Sequence, residues 1–185
     1  MSWDETGTLT ATAALQHPDL LGAPVADALR RADASWADTV GVAAIDPALA
    51  DTVEFCATYG VSLEASANCV VIKGKRGSDV RFAACIVLAT TRADVNGIVR
   101  RRLDARTASF AGMDEAVLLT GMEYGGITPI GLPADWPILV DTAVAAASEV
   151  VIGSGIRASK LFLPGPSLAA LPGAEIIDGL GRPVG

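Results

Sequence analysis

The chain has 185 residues, of which 51% are hydrophobic, and a formal net charge of −7. This length fits one domain with a proper core, and no run approaches the roughly 18 apolar residues that a membrane span requires. The acidic N-terminus, Met-Ser-Trp-Asp-Glu, lacks the basic and then apolar order of a secretory signal. We therefore expect a soluble, cytoplasmic protein without a membrane partner.

The cysteine and histidine content argues against metal and thiol chemistry. Cys56, Cys69 and Cys85 have no CxxC spacing and lie among apolar neighbours, which favours small buried side chains. His17 is the one histidine of the sequence. A Ser-His-Asp or Cys-His relay would depend on it, and a zinc site would lack its usual ligands. We expect no metal and no cofactor.

The first half of the chain predicts one helix, one strand, a second helix and a hairpin. The apolar spacing of Leu21, Val25 and Leu29 predicts a helix within residues 18–34. An apolar run at residues 40–45 predicts a strand, and the following helix starts at Asp46 or Asp51 and ends at Gly60. The next two apolar segments predict a hairpin with strands at residues 68–72 and 82–88 and its tip at residues 73–79.

The second half predicts two helices and five more strands. The helices are expected at residues 94–103 and 113–119, and the strands at residues 106–110, 136–141, 149–153, 160–163 and 174–178. An alanine-rich turn separates the strands on either side of residues 142–148. Helices and strands mix without a regular βαβ alternation, so we expect one α+β domain with a mixed, mostly antiparallel sheet flanked by helices.

The positive charge is concentrated in one segment. Residues 73–106 hold nine basic and three acidic residues, a local charge of +6, while the rest of the chain carries −13. Such a segment can contact phosphate groups while the acidic remainder repels non-specific partners. A solvated hairpin tip followed by a solvated helix face explains the same pattern, and both interpretations stay open.

A glycine-rich loop at residues 120–131, Thr-Gly-Met-Glu-Tyr-Gly-Gly-Ile-Thr-Pro-Ile-Gly, is the candidate active site. Gly125 and Gly126 allow a close approach to backbone amides, and Pro129 stiffens the segment. A plain connector between two elements is the competing interpretation.

A second glycine loop, residues 153–158, fits the GxGxxA pattern of a dinucleotide site. That site requires a helix directly after the glycines, whereas Leu-Phe-Leu-Pro-Gly-Pro follows here. We therefore expect this loop to lie beside the first one and to line the same pocket.

These segments resemble the YbaK and prolyl-tRNA synthetase-associated editing-domain family over about residues 51–180. The resemblance rests on Gly-Gly-Ile-Thr-Pro at residues 125–129, on Pro-Ile-Leu-Val-Asp at 137–141 and on Val-Ile-Gly-Ser-Gly at 151–155. It implies an editing-like domain at residues 36–185, preceded by a helical N-terminal extension at residues 1–35. It also implies hydrolysis of the ester between a wrong, small amino acid and the 3′ end of tRNA, without a metal.

The resemblance assigns roles to particular residues. The loop residues Gly125, Gly126, Ile127, Thr128 and Pro129 would hold and polarise the aminoacyl carbonyl. The pocket would be lined by Asp141, Gly153, Ser154 and Gly155. The basic residues Arg100, Arg101 and Arg102 would contact tRNA, and an aminoacyl-tRNA synthetase is a second candidate partner.

The chain departs from the family at one position. Asn68 stands where family members carry a lysine ahead of the first hairpin strand. An asparagine keeps hydrogen-bonding capacity but has no charge for the terminal adenosine or its phosphate. Lys73 should lie on the opposite strand face, and Lys75 at the hairpin tip. Two functions therefore stay open: a deacylase in which Asn68 orients the substrate, and a binding module of the same fold.

Overall fold

The computed structural model describes residues 3–184. Its helices are α1 Ala23–Arg31, α2 Ala34–Ala37, α3 Thr52–Tyr59, α4 Arg100–Arg102, α5 Met113–Thr120, α6 Thr142–Ala146 and α7 Gly165–Ala169. Its strands are β1 Thr12–Ala13, β2 Gly41–Ala44, β3 Ala67–Arg76, β4 Asp79–Leu88, β5 Thr91–Ala93, β6 Thr107–Phe110, β7 Ile138–Asp141, β8 Val150–Gly153, β9 Ser159–Leu163, β10 Ala174–Ile177 and β11 Gly181–Pro183. Short 3-10 turns cover Ala14–Gln16, Pro18–Leu20 and Pro47–Leu49. Within residues 3–184, no helix combines the length and the apolar character that crossing a membrane requires.

The strands form two main sheets and one small one. The first sheet has the order β1-β2-β9-β8 and is antiparallel throughout. The second has the order β10-β7-β4-β3-β6, in which β7 pairs parallel with both β10 and β4. β5 and β11 form a separate antiparallel pair. The predicted α+β fold with mixed, mostly antiparallel pairing is confirmed, and its strands divide between two sheets.

The hairpin of β3 and β4 is the longest paired element. Its ladder runs from Ala67 opposite Leu88 to Arg76 opposite Asp79, and Gly77 turns the chain with a φ of 61°. The tip predicted at residues 73–79 is therefore mostly strand. β6 pairs with Ile72–Lys75 on the other edge of β3, so backbone pairing holds this polar stretch in the sheet although its sequence resembles a loop.

The main core lies between the two large sheets. β4 sends Ala84 and Ile86 toward the strands of the first sheet, while Cys85 and Val87 face the segment that includes Val99. A strand that is buried on both faces has apolar residues at successive positions. This explains the unbroken apolar run Ala-Ala-Cys-Ile-Val at residues 83–87 of β4.

Three elements differ from the sequence prediction, and each difference has a local cause. The first helix begins only at Ala23, because Pro18–Leu20 forms a separate 3-10 turn. The helix predicted at residues 94–103 begins as a π-helix, Val95–Val99, whose first turn is capped by the carboxylate of Asp94. The alanine-rich turn is the short helix α6, because the Asp141 side chain accepts a hydrogen bond from Ala143 N and caps its start.

The N-terminal segment packs against the rest of the chain. β1 pairs with β2, and Val25 and Leu29 of α1 are buried in the main core. The Trp3 indole donates to Thr39 O at 3.0 Å. The domain division predicted at residue 35 stays a prediction.

Candidate active site

A cavity of about 350 Å³ lies where the start of α3, the first half of β3, the glycine loop and the ends of β8 and β9 meet. Four of the sequence-predicted site residues line it, namely Asn68, Gly125, Ile127 and Gly153. Among residues 3–184, no cluster of three His, Cys, Asp or Glu side chains could hold a metal ion. The lining offers backbone amides, the hydroxyls of Thr52, Ser66 and Tyr124, and the charged side chains of Asp51 and Lys160.

The two glycine loops touch each other through their backbones. Gly155 N donates to Gly126 O at 2.7 Å, and Glu123 N donates to Gly155 O at 2.9 Å. A Cβ on Gly126 would lie 2.5 Å from Ile156 O, and one on Gly153 would lie 2.4 Å from Gly126 O. These two glycines are thus required by the contact between the loops, because a side chain at either position would push them apart.

Two residues of the predicted segment 125–129 combine a backbone amide that has no acceptor in the described part of the chain with a place in the cavity lining. Gly126 N already donates to Glu123 O at 2.9 Å. Within residues 3–184, the amides of Gly125 and Ile127 donate to no protein acceptor, and both residues line the cavity. Gly125 has a φ of 87°, a conformation that favours glycine.

The last two residues of the segment 125–129, Thr128 and Pro129, lie away from the cavity. Thr128 is fully buried, and its Oγ1 has no partner in the described part of the chain. Pro129 has no amide hydrogen and lines a different cavity, of about 590 Å³, next to α1 and α2. Neither residue lines the first cavity, so the sequence-based assignment of Thr128 and Pro129 to catalysis finds no direct contact there.

Asn68 lies on the cavity wall, and its side chain is already engaged. Thr52 Oγ1 donates to Asn68 Oδ1 at 2.8 Å, which ties the start of α3 to β3. The two lysines that follow in sequence do not line the cavity: Lys73 Nζ lies 2.5 Å from Glu115 Oε1, and Lys75 is exposed near the end of β3. β3 thus brings no positive charge to the site.

A lysine from another strand enters the same cavity. Lys160 of β9 is 8% exposed, and its Nζ donates to Ala50 O at 2.8 Å. The ammonium also lies 5.1 Å from the centroid of the Phe55 ring. Burial lowers the pKa of Lys160 from 10.5 to about 8. Sequence analysis missed this residue, although a lysine inside the buried run Ser-Lys-Leu-Phe-Leu was the available signal.

Arg157 contacts two residues that line the cavity, Asp51 and Tyr124, and it too was missed. Its Nη1 lies 3.2 Å from Asp51 Oδ1, and its Nε donates to Pro47 O at 3.1 Å. Its backbone N donates to Glu123 Oε2 at 2.7 Å. The residue therefore joins the start of α3 to both glycine loops, and it neutralises Asp51 next to the cavity.

Burial disfavours the thiolate form of the cysteine that lines the cavity. Cys69 lines the wall, and burial, with a smaller contribution from Cys85, raises its pKa well above the ordinary value for a thiol. Burial also raises the pKa of Cys85 to about 12. Thiolate is the reactive form, so both side chains act as small apolar groups near neutral pH.

Three residues predicted to line the pocket have structural contacts elsewhere. Asp141 is buried, and it accepts from Ala143 N at 2.9 Å and Gly181 N at 2.7 Å. Ser154 Oγ lies 2.7 Å from Ser159 Oγ in the core. Gly155 has a φ of 88° and packs against Gly22. They hold the loops and α6 in place and do not line the cavity.

The three arginines of α4 also lie outside the cavity lining. Arg102 forms a two-pronged ion pair with Glu175, and Arg100 Nε donates to Asn96 O at 2.8 Å. Arg101 is exposed. The basic segment is partly neutralised by acidic neighbours, since Arg76 and Arg81 both pair with Asp104.

Comparison with known proteins identifies the family. The model of the aminoacyl-tRNA editing domain matches residues 46–171. The chain belongs to this family. Aminoacyl-tRNA editing is therefore the general function that its membership supports, and the cavity described above is the candidate active site of an editing domain.

Solved structures share the editing-domain fold at low identity. A candidate trans-editing enzyme for prolyl tRNA synthetase has a TM-score of 0.70 and 22% identity, with 86% of this chain and 95% of that one covered. A scaffold protein from computational epitope grafting has a TM-score of 0.71 and 21% identity, with coverage of 87% and 97%. A comparison with curated protein sequences finds no match. At these identities the likeness establishes the fold.

The contact between the glycine loops gives a first prediction. Gly153→Ala should destabilise the editing domain by about 1–3 kcal/mol, because the new methyl group meets the backbone of Gly126. Gly112→Ala is the matched control, since nothing lies within 4 Å of a Cβ at that position. Urea unfolding of both variants measures the difference. Equal stabilities would contradict the steric role of Gly153.

The buried lysine gives a second prediction. Lys160→Met should stabilise the fold near pH 7 by up to about 3 kcal/mol, the equivalent of lowering the lysine pKa from 10.5 to about 8. Between those pKa values the unfolded chain binds more protons than the folded one, so wild-type stability rises with pH and the advantage of the variant shrinks. Denaturant unfolding from pH 7 to pH 10.5 measures this. A pH-independent difference would show that Lys160 is not desolvated in the folded state.

Proposed function

We propose that this editing domain hydrolyses the ester between a small amino acid and the 3′ end of a mischarged tRNA. The observation that carries the proposal is one cavity, in a chain of the editing family, that is lined by Gly125 and Ile127, whose backbone amides have no acceptor within residues 3–184. Such donors stabilise the oxyanion that forms when an ester carbonyl is attacked. The cytoplasm is the location that we propose for an enzyme with such a substrate.

The proposed reaction depends on the position of the bound ester and on uncharged hydrogen-bond donors, the backbone amides. The ester carbonyl oxygen accepts from Gly125 N and Ile127 N, and a water molecule attacks the carbonyl carbon. The ester C–O bond then breaks, the proton lost by the water passes to the ribose oxygen, and the free amino acid leaves. The two amides are fixed by the loop contact, so they need no reorganisation when the charge develops.

Selection by size follows from the walls of the cavity. The lining includes the apolar residues Val70, Val71, Ala111 and Ala116 together with Cys69. An apolar wall excludes larger side chains by steric overlap, whereas it discriminates weakly among small ones. We therefore propose small amino acids as the substrate class.

Asn68 supports a second candidate function. Its Oδ1 already accepts from Thr52, and it brings no charge to the cavity. A binding module of the same fold, which holds an aminoacyl or nucleotide-like ligand or a protein partner without hydrolysis, would need no more than this.

A panel of mischarged tRNAs distinguishes the two functions. We expect at least one of the Ala, Ser, Cys and Pro esters to be hydrolysed well above its spontaneous rate, and Asn68→Ala to slow that reaction. The measurement is release of the labelled amino acid at fixed pH, with tRNA alone as the reference. If every ester decays at its spontaneous rate, and Asn68→Lys adds nothing, the binding module is the better description.

The proposed partner is tRNA with an aminoacylated 3′ end, and an aminoacyl-tRNA synthetase is the second candidate. Of the three arginines on α4, Arg101 is the one without a side-chain ion pair or hydrogen bond among residues 3–184. Arg101→Ala should therefore weaken tRNA binding and lower the slope of log K against log salt by about one.

Arg102→Ala is the matched comparison for this measurement. Its guanidinium is already paired with Glu175, so removing it should leave the salt slope unchanged and alter stability by less than about 1 kcal/mol. Filter binding at several salt concentrations gives both slopes. An unchanged slope for Arg101→Ala would mean that α4 is a solvated surface.

A further inference from the structure

We propose that Lys160 binds the phosphodiester group adjoining the terminal nucleoside of the substrate, as the cationic group of the cavity. This inference rests on the proposed function and goes further, because it assigns the phosphate contact to a strand that sequence comparison with the family did not indicate. The lysine expected in β3 is Asn68, and Lys160 reaches the same cavity from β9.

The ammonium group of Lys160 keeps hydrogen-bond donors for a ligand. A lysine ammonium has three N–H donors. Within residues 3–184, Lys160 Nζ uses one of them, toward Ala50 O at 2.8 Å. The Phe55 ring at 5.1 Å offers its π face rather than a strong acceptor. Donors are therefore left for a group that enters the cavity.

The charges around Lys160 also favour an anionic ligand. No carboxylate in the described part of the chain lies within ion-pair distance of its Nζ. The neighbouring acid, Asp51, already faces Arg157 at 3.2 Å, and its side chain is 67% exposed. A buried charge without a partner is costly, and a methionine of similar length would pack beside Phe55 without that cost. A ligand anion supplies the missing partner.

The chemical groups of the proposed substrate identify that anion. An aminoacyl group carries an amine, which the ammonium of Lys160 would repel when both are charged. The carbonyl oxygen is neutral until attack, and the amides of Gly125 and Ile127 are available for it. The fixed negative charges at the 3′ end of an acylated tRNA are its phosphodiesters. Tyr124 and Phe110, which are 55% and 62% exposed at the cavity, offer aromatic surfaces for the adjoining bases.

The test uses two probes that differ by one nucleoside, cytidine, and the phosphodiester that joins it to adenosine. Cytidylyl-3′,5′-adenosine carries the phosphodiester, and adenosine lacks it. We expect calorimetry to show that Lys160→Met weakens binding of the dinucleotide at least tenfold and leaves adenosine binding unchanged. Lys75→Met is the matched control, because Lys75 is exposed and does not line the cavity. Lys160→Gln is a second variant, in case the first fails to fold.

The same variants separate this inference from the proposed function. A ground-state phosphate contact raises KM and leaves kcat largely unchanged, so Lys160→Met should show that pattern on whichever ester the protein cleaves. Equal dinucleotide affinity in wild type and in both Lys160 variants overturns the inference, whether or not any ester is cleaved. A fall in kcat at constant KM also overturns it, because that pattern assigns Lys160 to the transition state. Absence of hydrolysis together with lysine-dependent dinucleotide binding overturns only the proposed function.

Discussion

The site depends on a backbone contact between two glycine loops. Gly126 O accepts from Gly155 N, a Cβ on Gly153 would meet the Gly126 backbone, and a Cβ on Gly126 would meet the Ile156 backbone. This contact sets the path of the first loop past the cavity, where the amides of Gly125 and Ile127 have no acceptor among residues 3–184. Arg157 then ties both loops to the start of α3. Loop conformation, rather than any side chain of the loop, thus produces the candidate carbonyl site.

The cavity has an unusual division of charge. β3, which pairs along the length of β4, brings a neutral asparagine, and its own lysines are exposed or paired with Glu115. β9 brings a lysine that is buried beside Phe55 with a depressed pKa. A charge in this position weakens the folded state, because burial penalises the ammonium. Such a cost is typical of groups retained for binding or catalysis, since packing alone would favour an apolar side chain.

The basic segment contributes less free charge than its composition indicates. Glu115 and Glu175, which lie outside this segment, pair with Lys73 and Arg102 and so offset part of its charge, and these pairs join residues far apart in sequence. Counting charges along the chain could not reveal this, because pairing depends on which strands become neighbours. The same reasoning explains Asp141. It follows a buried strand, as a pocket residue would, but its carboxylate caps α6 and holds Gly181 N.

The sequence by itself determined the α+β fold class, most of the elements and the family, because hydrophobic periodicity and glycine placement are local properties of the chain. It also located the glycine loop and recognised that Asn68 replaces a lysine. The division of the strands into two main sheets and a small one became visible only in the folded chain. The fold also shows that Thr128, Pro129 and Asp141 do not line the cavity, whereas Lys160 lines it and Arg157 contacts its lining. Those outcomes depend on contacts between residues that are distant in sequence, such as Lys160 with Ala50, 110 positions apart, and no local pattern encodes which distant strand will supply a charge.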